Sequence, residues 1–374
     1  MNYRITNGRV LLAGGDIVSG DLCIGDGRIV DHVDGEIIDA RGCLVLPGIV
    51  DVHGDAFERQ IMPRPGVSFP LDLALLDTDR QMAVNGITTA FHGLTWSWEP
   101  GLRGRAAAHG FMVALESLRP RLAVDTRVHL RWETYNLAAV AEVEEWLLAG
   151  RLGMLAFNNH FPEIRAKRQD AHEMSKYAGR GGVSVERIVA LIDRVHEGEA
   201  AVPAAIERLA RAARTGGVAL LSHDDATPEV RRWYNALGCS IAEFPLSIAT
   251  AEAARDLGNA TVFGAPNVVR GKSHTGKVVA ADMVAAGLCT ILASDYYYPS
   301  LLLAPFLLAH RGAASLVAAW ELVSANPARA AGLSDRGEIA PGKRADLILV
   351  DDHNPILPAV AATFVAGKPV FRTL

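Results

Sequence analysis

Apolar runs that end in polar residues recur along the chain, and their spacing sets the expected fold. The first is Leu46-Pro47-Gly48-Ile49-Val50-Asp51-Val52-His53-Gly54-Asp55, in which Ile49, Val50 and Val52 suit a short buried strand and Pro47-Gly48 mark the turn into it. Similar runs follow at 86–92, 126–133, 152–160, 218–225, 240–245, 261–266 and 288–295, eight in all. Between them, stretches such as Ala204 to Arg214 and Ala314 to Val323 space apolar residues three and four apart, a helical period. Strands alternating with helices predict a parallel α/β fold, and eight of them predict a (β/α)8 TIM-like barrel over residues 48–326. The two ends read differently. From Arg4 to Cys43, and again from Gly337 to Phe371, short apolar pieces alternate with Gly and Asp turns. Antiparallel strands from both ends can pair, so residues 1–47 and 327–374 are expected to form one small β-sandwich domain.

Composition narrows the class. With 374 residues, 50% apolar and 21% charged, the chain can bury a large core. No apolar run reaches the length of a membrane span; the longest, around Leu301 to Leu308, is cut by His310 and Arg311. Met1-Asn2-Tyr3-Arg4 lacks the order of a signal peptide, so no membrane partner and a cytoplasmic location are expected. Cys23, Cys43, Cys239 and Cys289 form no C-x-x-C pair and read as reduced core residues. A net charge of −5 without a basic block argues against nucleic acid. Association into a homo-oligomer is left open.

The polar residues that close the runs carry the chemistry. Barrel enzymes place their active sites at the C-terminal ends of the strands. His53 and Asp55, Glu133, His160, His223 and Asp295 all fall at such ends, from five different runs. Imidazoles and carboxylates converging this way suit one or two divalent metals, zinc first and manganese or iron as alternatives. The expected arrangement puts His53, Asp55 and Asp295 on one ion and His160 and His223 on the other, with Glu133 bridging. Glu243 is a weaker seventh candidate. Such ions lower the pKa of a bound water from about 15.7 to about 7, and Asp295 could take its proton.

A second set of residues is expected to bind an anionic small molecule. Arg131 shares strand parity with Glu133, so both face the same way. Arg64 lies in Met62-Pro63-Arg64-Pro65-Gly66, and Arg270, Lys272 and His274 lie in a Gly-containing loop at 269–277. Loops of this kind offer backbone donors and cations to phosphate. His274 is also a catalytic candidate beside Asp295.

These features resemble the amidohydrolase superfamily: paired termini, a first strand closing on His53-x-Asp55, and the late string Gly342-Lys343-Arg344-Ala345-Asp346-Leu347. The usual superfamily motif is His-x-His, and Asp55 narrows the match. Pro63-Arg64-Pro65-Gly66, His129-Leu130-Arg131, Ser222-His223-Asp224-Asp225-Ala226-Thr227, Ile241-Ala242-Glu243-Phe244-Pro245, the run from Gly264 to Gly271, Ser273-His274 and Ser294-Asp295-Tyr296-Tyr297 belong to a narrower pattern. Over nearly the whole chain it is similar to the α-D-ribose 1-methylphosphonate 5-triphosphate diphosphatase family of the carbon-phosphorus lyase pathway. The resemblance implies hydrolysis of a phosphoanhydride by metal-bound hydroxide, with release of pyrophosphate. The chain departs from that pattern at 161–168, at Asn159 in place of an acid, and at Lys272 in place of a glycine. The alternative is hydrolysis of a C–N bond, as in a deaminase or amidase, with Trp96 and Trp98 stacking on a flatter substrate.

Overall fold

The computed structural model describes residues 2–64, 66–272 and 278–373. The eight expected runs are the eight strands of a parallel barrel: Ile49–Gly54, Ile87–Trp96, Asp125–Glu133, Met154–Asn158, Ala219–His223, Ile241–Glu243, Ala260–Gly264 and Ile291–Ala293, paired in chain order. The last closes on the first at its C-terminal end. Gly54 bridges Asp295, the Asp295 amide donates to the His53 carbonyl, and the Asp55 amide donates to the Asp295 carbonyl, both at 2.9 Å.

The runs are apolar throughout because both faces of each strand are covered. Met154, Ala156, Leu221, Ile241, Val262, Ile291 and Ala293 fill the barrel interior. Residues of the opposite parity, among them Leu130, Trp132, Leu155, Phe157 and Leu220, pack outward under the helices. The four cysteines are buried and free, as their scattered spacing implied.

Strands from the two ends share one continuous sheet. Its order is Lys368–Arg372, Ala359–Val365, Leu347–Asp351, Cys43–Pro47, Tyr3–Leu11, Ile17–Gly25, Arg28–Val30, with Glu36–Asp39 also beside Tyr3–Leu11. The joint between the ends is the antiparallel pair Leu347–Asp351 with Cys43–Pro47. Cys43–Pro47 passes through Gly48 straight into the first barrel strand. A Cβ at Gly48 would lie 2.3 Å from Thr88 Oγ1, so this crossing admits no side chain. At the other junction the helix Ala325–Ala330 places Ala328 in the barrel core.

A helical insertion between the fourth and fifth strands covers one side of the mouth. Its helices Phe161–Ala166, Ala171–Gly181 and Val185–His196 precede the outer barrel helix Val202–Thr215. Asp170 and Ser184 cap the second and third through their side chains, and Gly182 ends the second in the left-handed conformation. The insertion is tied to the loop after the second strand. Arg180 makes a forked ion pair with buried Glu99, and a Cβ at Gly101 would lie 2.4 Å from the Arg180 carbonyl. Among the described residues, no helix is long and apolar enough to cross a membrane.

Candidate metal centre

Register assembles the centre from the barrel upward. Glu133, Asn158, His223 and Glu243 are cross-strand neighbours on strands three to six, so they form one layer at the C-terminal end of the barrel. His129 and Arg131 share the inward parity of Glu133 on the third strand. Three short ladders of side chains result. His53 Nδ1 donates to Glu243 Oε1 at 2.7 Å, and His129 Nδ1 donates to the Val52 carbonyl at 2.9 Å. His160 Nδ1 meets Glu133 Oε1 at 2.6 Å, and its Nε2 meets Asp224 Oδ2 at 3.2 Å. Arg131 donates from Nη1 to Asp55 Oδ2 at 3.1 Å and from Nη2 to His223 Nε2 at 3.3 Å.

Burial and charge act together on these groups. Burial works against a charge on His160, but Glu133 and then Asp224 outweigh it and push its pKa up to about 9. Burial alone would raise the Glu243 carboxyl; the imidazoles of His53 and His129 reverse this and hold it well below the usual range. The centre opens into a cavity of about 440 Å³ whose walls include His53, Glu133, His160, His223, Asp224 and Asp295. Its outer wall carries Arg103, Lys167, Tyr177 and Arg180.

Three sets of side chains are close enough to share an ion: His53, His223 and Glu243; His160, His223 and Asp224; and His53, Asp55 and Asp295. The last is the first-ion set expected from the sequence, and His160 and His223 come together as expected. Glu133 belongs to none of the three and instead accepts from His160. Asp224, which sequence reasoning missed, completes the second set, and Glu243 is fully buried at the base of the first.

The donor set fits a divalent cation on an independent observation. Glu133 Oε2, Glu243 Oε2, His129 Nε2, His223 Nδ1 and both polar atoms of the Asn158 amide are buried without a hydrogen-bond partner. Buried polar atoms are rarely left so, and this many in one layer point to a bound ion and its waters. Imidazole nitrogens beside carboxylates are the ligands that zinc or manganese takes.

The expected substrate contacts divide. Arg131 is 7% exposed and sits inside the centre. Arg270 is exposed and does not itself line the cavity, but its Nη1 donates to the hydroxyl of Tyr296, which does, at 3.4 Å. Arg64 and Lys272 are exposed and do not line the cavity. His274 lies outside the described residues. The stacking role imagined for the tryptophans is corrected by packing. Trp96 is 1% exposed with its ring 4.9 Å from that of Trp146, and Trp98 packs edge-on against Phe161 in a neighbouring cavity.

A barrel whose mouth gathers histidines and carboxylates, flanked by a sheet drawn from both termini, defines the class of metal-dependent hydrolases. A model of the amidohydrolase family matches residues 195–371. The chain is 33% identical over 369 residues to an α-D-ribose 1-methylphosphonate 5-triphosphate diphosphatase of Escherichia coli (strain K12), covering 93% of this chain and 96% of that protein. It is 26% identical over 398 residues to an adenine deaminase of Methylobacterium sp. (strain 4-46), covering 99% of this chain and 58% of that protein. Among solved structures, dihydropyrimidinase from Brevibacillus agri NCHU1002 superposes with a TM-score of 0.65 at 15% identity, over 100% of this chain and 95% of that one. The chain belongs to the amidohydrolase superfamily, whose members generally bind divalent metals.

Proposed function

We propose that this chain is a divalent-cation-dependent diphosphatase acting on α-D-ribose 1-methylphosphonate 5-triphosphate, with release of pyrophosphate. The observation that carries this reading is the likeness to the Escherichia coli diphosphatase across 93% of the chain. The cavity agrees with it, since buried Arg131 within it and Arg270 beside the lining Tyr296 suit an anion with several phosphoryl groups. The C–N alternative loses its main support, because neither Trp96 nor Trp98 lines the cavity.

The reaction adds the oxygen of water to the α-phosphorus and breaks its bond to the oxygen shared with the β-phosphorus, which leaves on pyrophosphate. A divalent cation bound among the three ligand sets supplies positive charge to a phosphoryl oxygen and acidity to a water. The remaining tasks belong to the chain. Asp295, at the rim of the cavity, accepts the proton of the attacking water. Arg131 presents its guanidinium to the oxygens that gain charge as the new bond forms. Glu133 and Glu243 hold the rings of His160 and His223's neighbour His53 in fixed orientations. Arg270 and Tyr296 steer the polyphosphate at the entrance.

The test is pyrophosphate release from the ribosyl phosphonate triphosphate, assayed beside adenine, dihydropyrimidines and simple amides. Pyrophosphate release is the expected result. Turnover of the nitrogen compounds alone would overturn the reading.

A further inference from the structure

Two cations on the outer wall of the cavity are held in fixed orientations. Arg103 comes from the loop after the second strand and Arg180 from the second helix of the insertion, and both line the cavity. Arg103 donates from Nε and Nη2 to the two oxygens of Glu58, at 3.0 and 2.8 Å. Arg180 donates from Nε and Nη2 to Glu99, at 2.7 to 3.1 Å, and its Cζ lies 4.9 Å from the centre of the Tyr177 ring. Each carboxylate thus grips the same edge of its guanidinium. The remaining Nη1 has no hydrogen-bond partner among the described residues in either case, and neither atom is among the buried unpartnered ones, so both meet solvent. Lys167 on the same wall is 47% exposed and paired with Glu163, a contact that fixes little.

These two guanidiniums continue a line that starts in the metal centre. Arg131 donates to Asp55 at 3.1 Å. Burial works against the charge on Arg103, but Glu58 outweighs it, and Asp55 and Glu99 act in the same direction, so Arg103 lies near both of those carboxylates. Glu99 in turn holds Arg180. The order is therefore Arg131, Asp55, Arg103, Glu99, Arg180, guanidiniums alternating with carboxylates from the centre to the insertion. The carboxylates offset the repulsion that neighbouring cations would suffer, so the row is formed before any ligand arrives. It offers an anion fixed N–H donors rather than net charge, and forked donors of this kind match phosphoryl oxygens.

We propose that Arg103 and Arg180 form a subsite for a diphosphate group, with Arg103 holding the phosphoryl group nearer the metal centre and Arg180 the outer one. Three guanidiniums in a row then meet three phosphoryl groups in a row, and the insertion, through Arg180, selects a triphosphate over a monophosphate. That the bound diphosphate is the end of the substrate that leaves as pyrophosphate rests on the diphosphatase reading; the subsite itself does not.

The test is calorimetry on the zinc-loaded full chain with inorganic pyrophosphate and, separately, inorganic phosphate. Pyrophosphate should bind at least tenfold more tightly than phosphate, and equal affinities in the unaltered chain would overturn the proposal without any variant. Arg103→Lys and Arg180→Lys keep the charge but lose the fork. At equal zinc content, each should weaken pyrophosphate at least tenfold and leave phosphate, which the centre holds, within twofold. Arg168→Gln is the control, since Arg168 lies on the same insertion, pairs with exposed Asp193 and does not line the cavity. It should bind pyrophosphate as the unaltered chain does. Unchanged pyrophosphate binding in either lysine variant, parallel loss of both anions, or an equal loss in Arg168→Gln would overturn the subsite. A subsite that passes these tests in a chain that releases no pyrophosphate from the ribosyl phosphonate triphosphate would refute the diphosphatase reading alone; release of pyrophosphate with unaltered binding in the lysine variants would refute the subsite alone.

Discussion

Replacing Arg231 by methionine tests how the ligand-bearing strands are held. Arg231 is fully buried behind the fifth and sixth strands. Its guanidinium donates to Ser222 Oγ at 2.8 Å and to the carbonyls of Cys239 and Ile241 at 2.6 and 3.3 Å, and it lies 3.2 Å from Asp225. Asp225 is itself 2% exposed and accepts from Ser222 Oγ at 2.6 Å. Arg231→Met therefore leaves a carboxylate buried without its cation, which costs about 3–5 kcal/mol. At about 2.1 cal/mol/K per residue, a chain this long has an unfolding entropy near 0.8 kcal/mol/K, so Tm should fall by about 4–6 °C. Burial already holds the Asp225 carboxyl above the usual range, and losing Arg231 raises it further. The deficit should accordingly shrink as pH falls and Asp225 takes up a proton. Adding Asp225→Asn to the variant should recover much of the loss, because the amide keeps the Ser222 contact without the charge. Differential scanning calorimetry of the two single variants and the double one gives the coupling directly. A single Arg231→Met variant within 1 °C of the unaltered chain would refute the reasoning.

Three further outcomes are expected. Glu133→Gln should weaken zinc affinity by about 10–100-fold in a chelator competition, since it removes the carboxylate that orients His160; unchanged affinity would return Glu133 to another role. Arg270→Ala should raise KM for the triphosphate severalfold with little change in kcat, and an unchanged KM would remove Arg270 from the entrance. His92, packed between Phe57 and Phe111, has its pKa lowered to about 4 by burial. The unfolded chain takes up that proton near pH 6.5, so His92 should contribute about 3 kcal/mol to the stability lost between pH 7 and pH 4. In denaturant titrations at both pH values, the loss in His92→Phe should be smaller than in the unaltered chain by about that amount, and an equal loss would refute the assignment to His92.

The barrel was legible because its strands are covered on both faces, which turns each into a continuous apolar run with a polar residue at its open end. Strand parity then carried Arg131 and Glu133 to the same face. Parity could not reach residues brought in by helices. Lys167, Tyr177 and Arg180 enter the cavity wall from the insertion after the fourth strand, whose docking depends on the Arg180 pair with Glu99 and on Gly101 having no side chain. Proximity in sequence misled for the tryptophans. Trp96 still belongs to the second strand, where it packs against Trp146, and Trp98 follows the chain behind the insertion.

Asp224 shows where the parity rule itself stops. Next to His223, it would point outward from the barrel if the strand continued. Its φ is +57°, in the left-handed region, and Phe244 and Asp295 share that conformation at +53° each. These three positions follow the ends of strands five, six and eight. A left-handed residue reverses the direction of the side chain, which brings the Asp224 carboxylate between His160 and His223. Aspartate tolerates this conformation better than most residues, so a carboxylate just past a strand end was the available signal. Strain of this kind persists only where surrounding contacts enforce it, and here the Asp224 amide is fixed by the Glu243 carbonyl at 2.9 Å and the Asp295 amide by the His53 carbonyl at the same distance. The same backbone bonds that close the strand ends thus aim the carboxylates, and the grouping of the candidate ligands follows from the closure of the barrel.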